Sequence, residues 1–297
     1  MDIKAYLSAK REQVEQVLYA LMPAPGNELN HHIESLNYSL QAGGKRVRPI
    51  LCLAAAESLG HDVPSQLMII PCALECIHTY SLIHDDLPAM DDDALRRGKP
   101  TNHMIYGEAG AILAGDGLLT FAFELLSKPE ASELVSDRDR LRITHLIAKA
   151  IGSYGMVGGQ ALDMEAEDRD IPLAALQMIH QCKTGALITA SVQTGAILGQ
   201  ANSTQYQALT SYGELVGLAF QIVDDLLNVE GTTEQLGKAS GSDAKKCKAT
   251  YPAFLGVEQT RIKAQETIQT AIDTLAEFGP AADPLRELAR YIYRRTN

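Results

Sequence analysis

Apolar residues recur at intervals of three and four almost from one end of this 297-residue chain to the other. That spacing lines up side chains on one stripe of a helix, and nothing else about the chain limits its fold so strongly. It predicts helices over about 2–20, 28–41, 45–58, 65–87, 108–126, 138–152, 173–199, 204–229 and 254–277, with a last one near 284–294. Gly60 stops one helix, Pro64 opens the next, and Pro172 stands at a helix start. Strand-forming material is thin, with 5% aromatics and no Trp. Some segments, such as Ala186–Leu198, are apolar all round, which suits a helix surrounded by others. No Pro/Ser-rich linker or repeat divides the chain. The expectation is one all-α domain over residues 1–297, a large helical bundle.

The formal net charge of −11 argues against a non-specific binder of nucleic acid or of anionic membranes, since both need a basic surface. Met1–Lys10 has charges and lacks the apolar core of a signal peptide. The longest uninterrupted apolar runs, such as Ile50–Ala56, fall far short of the ~20 residues that cross a bilayer. Neither membrane insertion nor export is therefore expected, and a cytoplasmic location is. Cys52, Cys72, Cys76, Cys182 and Cys247 form no CxxC pair. Cys72 and Cys76 share a helix face and could ligate a metal, but buried packing is the simpler reading.

Two acidic clusters point to chemistry. Ser81–Lys99 reads SLIHDDLPAMDDDALRRGK, with Asp85, Asp86, Asp91, Asp92 and Asp93 inside nine positions. Like charges so dense must be solvated or neutralised by cations. A water-exposed acidic loop is the plain alternative. The second cluster, AFQIVDDLLNVE at 219–230, embeds Asp224 and Asp225 in an apolar helix, where Asp is a poor residue. Asp224 and Asn228 are four apart and share a face. A solvent-facing pair is the alternative here. Clusters 139 residues apart, each closing an apolar helix, suggest carboxylates facing each other across a cavity. Hard oxygen donors suit Mg²⁺, which commonly bridges to phosphates, and the scarcity of thiolate or imidazole partners argues against zinc.

An acidic chain that handles anions must gather its cations locally, and four places do so. QAGGKRVRP at 41–49 sets Lys45, Arg46 and Arg48 at a helix start behind two glycines. Arg96 and Arg97 follow the first aspartates and offer forks suited to phosphate, or else only neutralise those aspartates. Lys183 and Thr184 lie in a long apolar stretch, where a lysine needs an anionic partner or a route to water. GKASGSDAKKCKATYP at 237–252 adds Lys238, Lys245, Lys246 and Lys248.

Together these segments resemble the trans-isoprenyl diphosphate synthases, most closely the bacterial farnesyl diphosphate synthases. The likeness rests on GGKRVRP at 43–49, DDLPAMDDDALRRGKPTNH at 85–103, KTG at 183–185, FQIVDD at 220–225 and the lysine-rich 237–252. It implies an all-α bundle around a deep central cavity, usually a homodimer. It implies Mg²⁺, three ions in all, with Mn²⁺ as a substitute. Asp85 and Asp91 would ligate metal with Asp86 in support, and Asp224 a third ion with Asp225 nearby. Arg96, Lys183 and Lys238 would hold the allylic diphosphate; Lys45, Arg48, His78 and Arg97 would hold isopentenyl diphosphate. Thr184 and Gln221 would line the reaction centre. Ser81 and Tyr80, four and five positions before the first Asp, would set product length, and the ring of Tyr80 favours fifteen carbons. The implied reaction condenses isopentenyl diphosphate with dimethylallyl or geranyl diphosphate by ionisation, alkylation and proton loss.

One departure is plain. The family's second motif normally ends in Asp, and Asn228 stands there. A synthase of the twenty-carbon product is the nearest alternative. A class I terpene cyclase would leave GGKRVRP and Arg97 unexplained. A metal phosphohydrolase, prompted by His84–Asp85 and His31–His32, would leave the second aspartate helix and the lysines incidental. A non-catalytic partner subunit is the last, kept open by Asn228.

Overall fold

The computed structural model describes residues 1–24, 26, 28–129, 134–230 and 249–294. It is 76% helix, and its only paired strands among the described residues are two dipeptides, so the all-α expectation holds. In chain order the helices are α1 (Ile3–Leu21), α2 (Asn30–Gln41), α3 (Val47–Glu57), α4 (Ile69–Asp85) and α5 (Asn102–Ser127). They continue as α6 (Asp137–Ile151), α7 (Met156–Ala166), α8 (Leu173–His180), α9 (Ala186–Leu198) and α10 (Ser203–Glu230). The last are α11 (Tyr251–Leu255), α12 (Val257–Asp273) and α13 (Asp283–Arg294). Between α4 and α5 lies a small antiparallel hairpin, β1 (Leu95–Arg96) and β2 (Lys99–Pro100).

Three departures from the expected boundaries have local causes. The stretch 173–199 is continuous but changes winding, with a π-helical turn at Gln181–Gly185 between α8 and α9. Gly256, at φ +78°, separates α11 from α12 where one helix was expected. Gly107, at φ +73°, interrupts α5, so the helix continues from the expected start at 108 after a short leading turn. α7 is not among the expected helices, and its segment holds Gly155, Gly158 and Gly159, a residue type unfavourable in helices.

The chain gathers into two compact units: Leu7–Ile50 with Pro64–Arg140, and Met1–Tyr6, Leu51–Val63 with Leu141–Asn297. In the former, α4 is the core helix: from Ile69 to Tyr80 only His78 is not buried. It packs chiefly on α5, whose Ala111, Ala114, Leu118, Ala122 and Leu125 recur at three and four to form the inward stripe. In the latter, α10 supplies the ridge Leu209, Tyr212, Val216, Ala219, Val223 and Leu226 and packs on α9 and α12. Tyr212 donates to the Leu285 carbonyl at 2.6 Å, which satisfies its buried hydroxyl.

Two segments, Ser65–Asp85 and Asn102–Ser127, are apolar and long enough to cross a membrane once interspersed polar residues are allowed. The first is 78% buried within the protein and the second 44%. The apolarity of α4 is therefore that of a core.

Helix α9 approaches the residues 51–63 without side-chain spacing. A Cβ added at Gly195 would meet the Cys52 carbonyl oxygen and come within 2.8 Å of Ala55 Cβ. Gly195→Ala is expected to lower stability by about 1–3 kcal/mol through overpacking, read as a lower denaturant midpoint at unchanged slope.

Candidate active site

The first aspartate cluster begins where α4 ends. His84 lies over Gly115 of α5, where any Cβ would collide with the ring, and its Nε2 is 3.0 Å from the Ile112 carbonyl. That contact fixes the helix end from which Asp85 projects. The chain then folds back: the Asp91 amide donates to the Asp85 carbonyl at 2.8 Å, and the Asp92 amide to Leu87 at 3.1 Å. Asp92 takes φ +52° to complete the turn. Asp85 and Asp91 thus stand on adjoining turns, both half-buried, and Asp86 is buried.

The hairpin that follows turns on Arg97 and Gly98, at φ +55° and +76°, with Arg96 opposite Lys99. Two positive φ values in a two-residue loop are the turn that matches strand twist. Here it sends adjacent arginines to different partners. Arg96 grips Asp86 with Nε at 2.8 Å from both carboxylate oxygens and Nη2 at 2.5 Å, and burial nevertheless holds the Asp86 carboxyl above its ordinary range. Arg97 donates to the Gly43 carbonyl and lies over Gly44, where a Cβ would be 2.7 Å from its Nη1. The two glycines before Lys45 are required by that approach and by their φ of +88° and +146°.

Arg46, also left-handed at φ +49°, is buried at 1% exposure and saturated. It donates to Glu15 at 3.1 Å, Glu75 at 2.9 Å, the Tyr19 hydroxyl at 3.2 Å and the Leu40 carbonyl at 2.7 Å. Two residues on, Arg48 meets opposite conditions. Its Nε has no solvent access and no hydrogen-bond partner, and burial, against Glu75 but with Arg97, pulls its pKa down to about 10. His78 on α4 has an enclosed Nδ1 without a partner. Burial first, then Arg48, Arg97, Arg96 and Arg46, holds the ring far below the usual imidazole range. Arg48, His78 and Arg97 therefore form a cluster of crowded cationic or cation-facing groups with donor capacity left over. Such a cluster is built to take an anion. Lys45 is exposed beside it.

In the other unit the KTG segment occupies the π-turn, a distortion frequent at functional sites. Two glycines let helices close on it: a Cβ at Gly159 of α7 would strike the Lys183 backbone nitrogen, and one at Gly217 of α10 would lie 2.9 Å from Gly185 Cα. Lys183 Nζ is 2.7 Å from Asp163 of α7. The anionic partner that its apolar surroundings demanded thus includes a carboxylate of the protein itself. Asp163 was not anticipated; the signal was an aspartate in a segment, GGQALD, too glycine-rich to read as helix. On α10, Asp224 is half-buried, whereas Asp225 is buried, accepts from the Tyr251 amide at 2.8 Å and has His180 Nε2 at 3.9 Å. Thr184 and Gln221 are half-buried on the π-turn and on α10, and Asn228 is buried.

Tyr80 is buried on α4, its ring edge-on to His84 at 5.7 Å; burial and then Asp85 push its hydroxyl up to about 12. Ser81 donates to the His78 carbonyl at 2.9 Å. Lys238, with Lys245, Lys246 and Lys248, lies outside the described residues.

Among the described residues no three carboxylate, imidazole or thiol groups converge as a complete metal-ligand set. Asp85, Asp91 and Asp224 nonetheless fit Mg²⁺, which takes one or two carboxylates and completes its shell with waters and substrate phosphates. All three are hard oxygen donors left accessible.

Comparison with known proteins gives a consistent result. The model of the polyprenyl synthetase family matches residues 30–279. The chain is 47% identical to the farnesyl diphosphate synthase of Escherichia coli (strain K12), over 99% of either chain. It is also 47% identical to the chloroplastic geranylgeranyl pyrophosphate synthase of Catharanthus roseus, over 100% of this chain and 82% of that one. A crystal structure of an FPP/GFPP synthase from Zymomonas mobilis in its apo form superposes with a TM-score of 0.87 at 38% identity, covering 98% of this chain and 99% of that one.

The approach of α7 to the π-turn has a direct test. Gly159→Ala is expected to lower stability by roughly 1–3 kcal/mol, seen in thermal unfolding. The Lys183–Asp163 pair should open in a crystal structure of the variant.

Proposed function

Because the chain belongs to the polyprenyl synthetase family and is a prenyltransferase, we propose that it condenses isopentenyl diphosphate with dimethylallyl and geranyl diphosphate to give farnesyl diphosphate. The observation that carries the reading lies within one unit: the end of α4 and the fold-back turn that carry Asp85 and Asp91 lead into the hairpin, whose Arg97 lies over the Gly43–Gly44 turn, in the cluster with Arg48 and His78. Hard oxygen donors and an anion site with spare donor capacity therefore share one scaffold. A terpene cyclase needs the first and not the second. Residues 1–297 are read as a single polyprenyl synthetase domain, since the family's pattern runs through residues of both units.

Asp85, Asp91 and Asp224 would hold Mg²⁺, Asp86 and Asp225 setting the neighbouring backbone. Bound Mg²⁺ neutralises charge that develops on the departing diphosphate. Arg96, Lys183 and Lys238 orient the allylic diphosphate and add fixed positive charge where its oxygens become more negative. The allylic C–O bond breaks heterolytically. Arg48, Arg97, His78 and Lys45 hold isopentenyl diphosphate so that its terminal alkene carbon meets the allylic C1. Thr184 and Gln221 line that point. A carbon–carbon bond forms, and the proton lost leaves with the released diphosphate. No side-chain nucleophile is called for.

Tyr80 would stop growth at fifteen carbons by blocking the hydrocarbon tail one turn before Asp85. A twenty-carbon product would need a smaller residue there.

The dimer reading rests on α5. Ile105, Ile112 and Leu113 are 50%, 45% and 57% exposed on a helix whose other stripe is core. Among the described residues nothing covers these side chains, and a second copy would.

Incubation with isopentenyl and dimethylallyl diphosphates and Mg²⁺ should yield farnesyl diphosphate, and Asp85→Ala should cut turnover by at least roughly 100-fold. Absence of isopentenyl-dependent chain growth would reject the function. Tyr80→Ala should shift the product beyond fifteen carbons on chromatography; an unchanged product rejects its role. Sedimentation should give about twice 32.2 kDa, and Leu113→Glu should return the protein to monomer.

A further inference from the structure

Glu75 is the one buried carboxylate on the inward length of α4, at 1% exposure, and a carboxylate so placed must be compensated. Arg46 takes its Oε1 at 2.9 Å, yet Arg46 already has Glu15, at 3.1 Å, as a counter-ion. Oε2 of Glu75 has no solvent access and accepts no hydrogen bond. One turn along the same face stands His78, with its enclosed and unpartnered Nδ1, and at the start of α3 stands Arg48, with its unpartnered Nε. The negative charge of Glu75 acts on both Arg48 and Arg97, favouring their charged forms. It is thus more charge than Arg46 requires, aimed at the cations proposed to take isopentenyl diphosphate.

We propose that Glu75 is a positioning residue that acts as a built-in counter-anion for Arg48 and Arg97, weakening the isopentenyl diphosphate site so that the elongated product can leave it. The inference rests on the reading of that site given above. Its chemical sense comes from the reaction. The allylic partner loses its diphosphate when the new carbon–carbon bond forms. The product therefore carries the diphosphate that arrived on isopentenyl diphosphate, still seated among Arg48, His78 and Arg97. A second addition requires that group to move away. A site of two guanidinium cations with no internal anion would retain it.

Glu75→Gln keeps the shape and a hydrogen bond to Arg46 while removing the charge. The KM for isopentenyl diphosphate should fall at least roughly tenfold, the scale that one charge–charge interaction keeps even at about 12 Å with an effective dielectric constant of about 20. The KM for the allylic substrate should stay the same and kcat should fall, because departure becomes slow. Inorganic pyrophosphate should raise the melting temperature of the variant more than that of the wild type. A merely structural Glu75 predicts the opposite, a raised KM for isopentenyl diphosphate, and that result, or an equal shift for both substrates, overturns the proposal. Should the single variant not fold, Glu15→Gln leaves Glu75 as the only carboxylate on Arg46 and draws its charge away from Arg48 and Arg97. The isopentenyl KM should then fall as well, and a marked rise there overturns the proposal. Arg48→Gln separates the two levels: if it leaves the isopentenyl KM unchanged, the site itself has been misread and the inference falls with it.

Discussion

The buried ion pair between Arg46 and Glu75 is the contact on which the cation site depends. Arg46 sits in a left-handed conformation that an L-residue adopts only under constraint, and four partners supply that constraint. Once it is fixed, the first turn of α3 must present Arg48 toward α4, and the preceding Gly43–Gly44 turn must offer a carbonyl and a bare Cα to Arg97. Desolvating both members of such a pair costs several kcal/mol, so it contributes little net stability. What it supplies is geometry: like charges that would otherwise spread apart are held together in a protein whose overall charge is −11.

The Lys183 site is solved by different means. There the backbone approaches too closely for side chains, with Gly159 and Gly217 on either side of a π-turn, and the lysine is stationed by Asp163. The two sites share a principle, since in each a charged head group is aimed by glycine-permitted contact and held by a carboxylate on a neighbouring helix. They differ in what remains unsatisfied. Lys183 has an internal anion, whereas Arg48 retains an enclosed donor without a hydrogen-bond partner.

Most helices were legible in the sequence because burial on one stripe imposes its period on the residues. α4 and α10 follow it closely, and both aspartate clusters stand where those helices carry them. Glycine was the main source of error. At Gly155, Gly158 and Gly159 it marks close packing of α7, and local propensity cannot distinguish that use from a loop. Gly107 and Gly256 do break helices, both with positive φ. Partners distant in sequence were also illegible: nothing local assigns Asp163 to Lys183 or Glu75 to Arg46. Local pattern alone did not separate Arg96 from Arg97, to which only the family resemblance gave different substrates, whereas the positive φ of Arg97 accompanies their different partners.

That last point extends to the aspartates. On a helix, consecutive side chains are about 100° apart, so the two members of an Asp–Asp pair cannot serve one ligand equally. Both clusters resolve this in the same way. Asp86 turns inward to Arg96 and Asp225 inward to the Tyr251 amide, while Asp85 and Asp224 stay half-exposed. The buried member has exchanged water for a fixed donor, and in doing so it pins the backbone from which its neighbour projects. A second aspartate in each pair is therefore a structural requirement of the first. Doubling the acidic residue leaves one accessible carboxylate per pair, and holding its neighbour against a fixed donor limits the repulsion between the two.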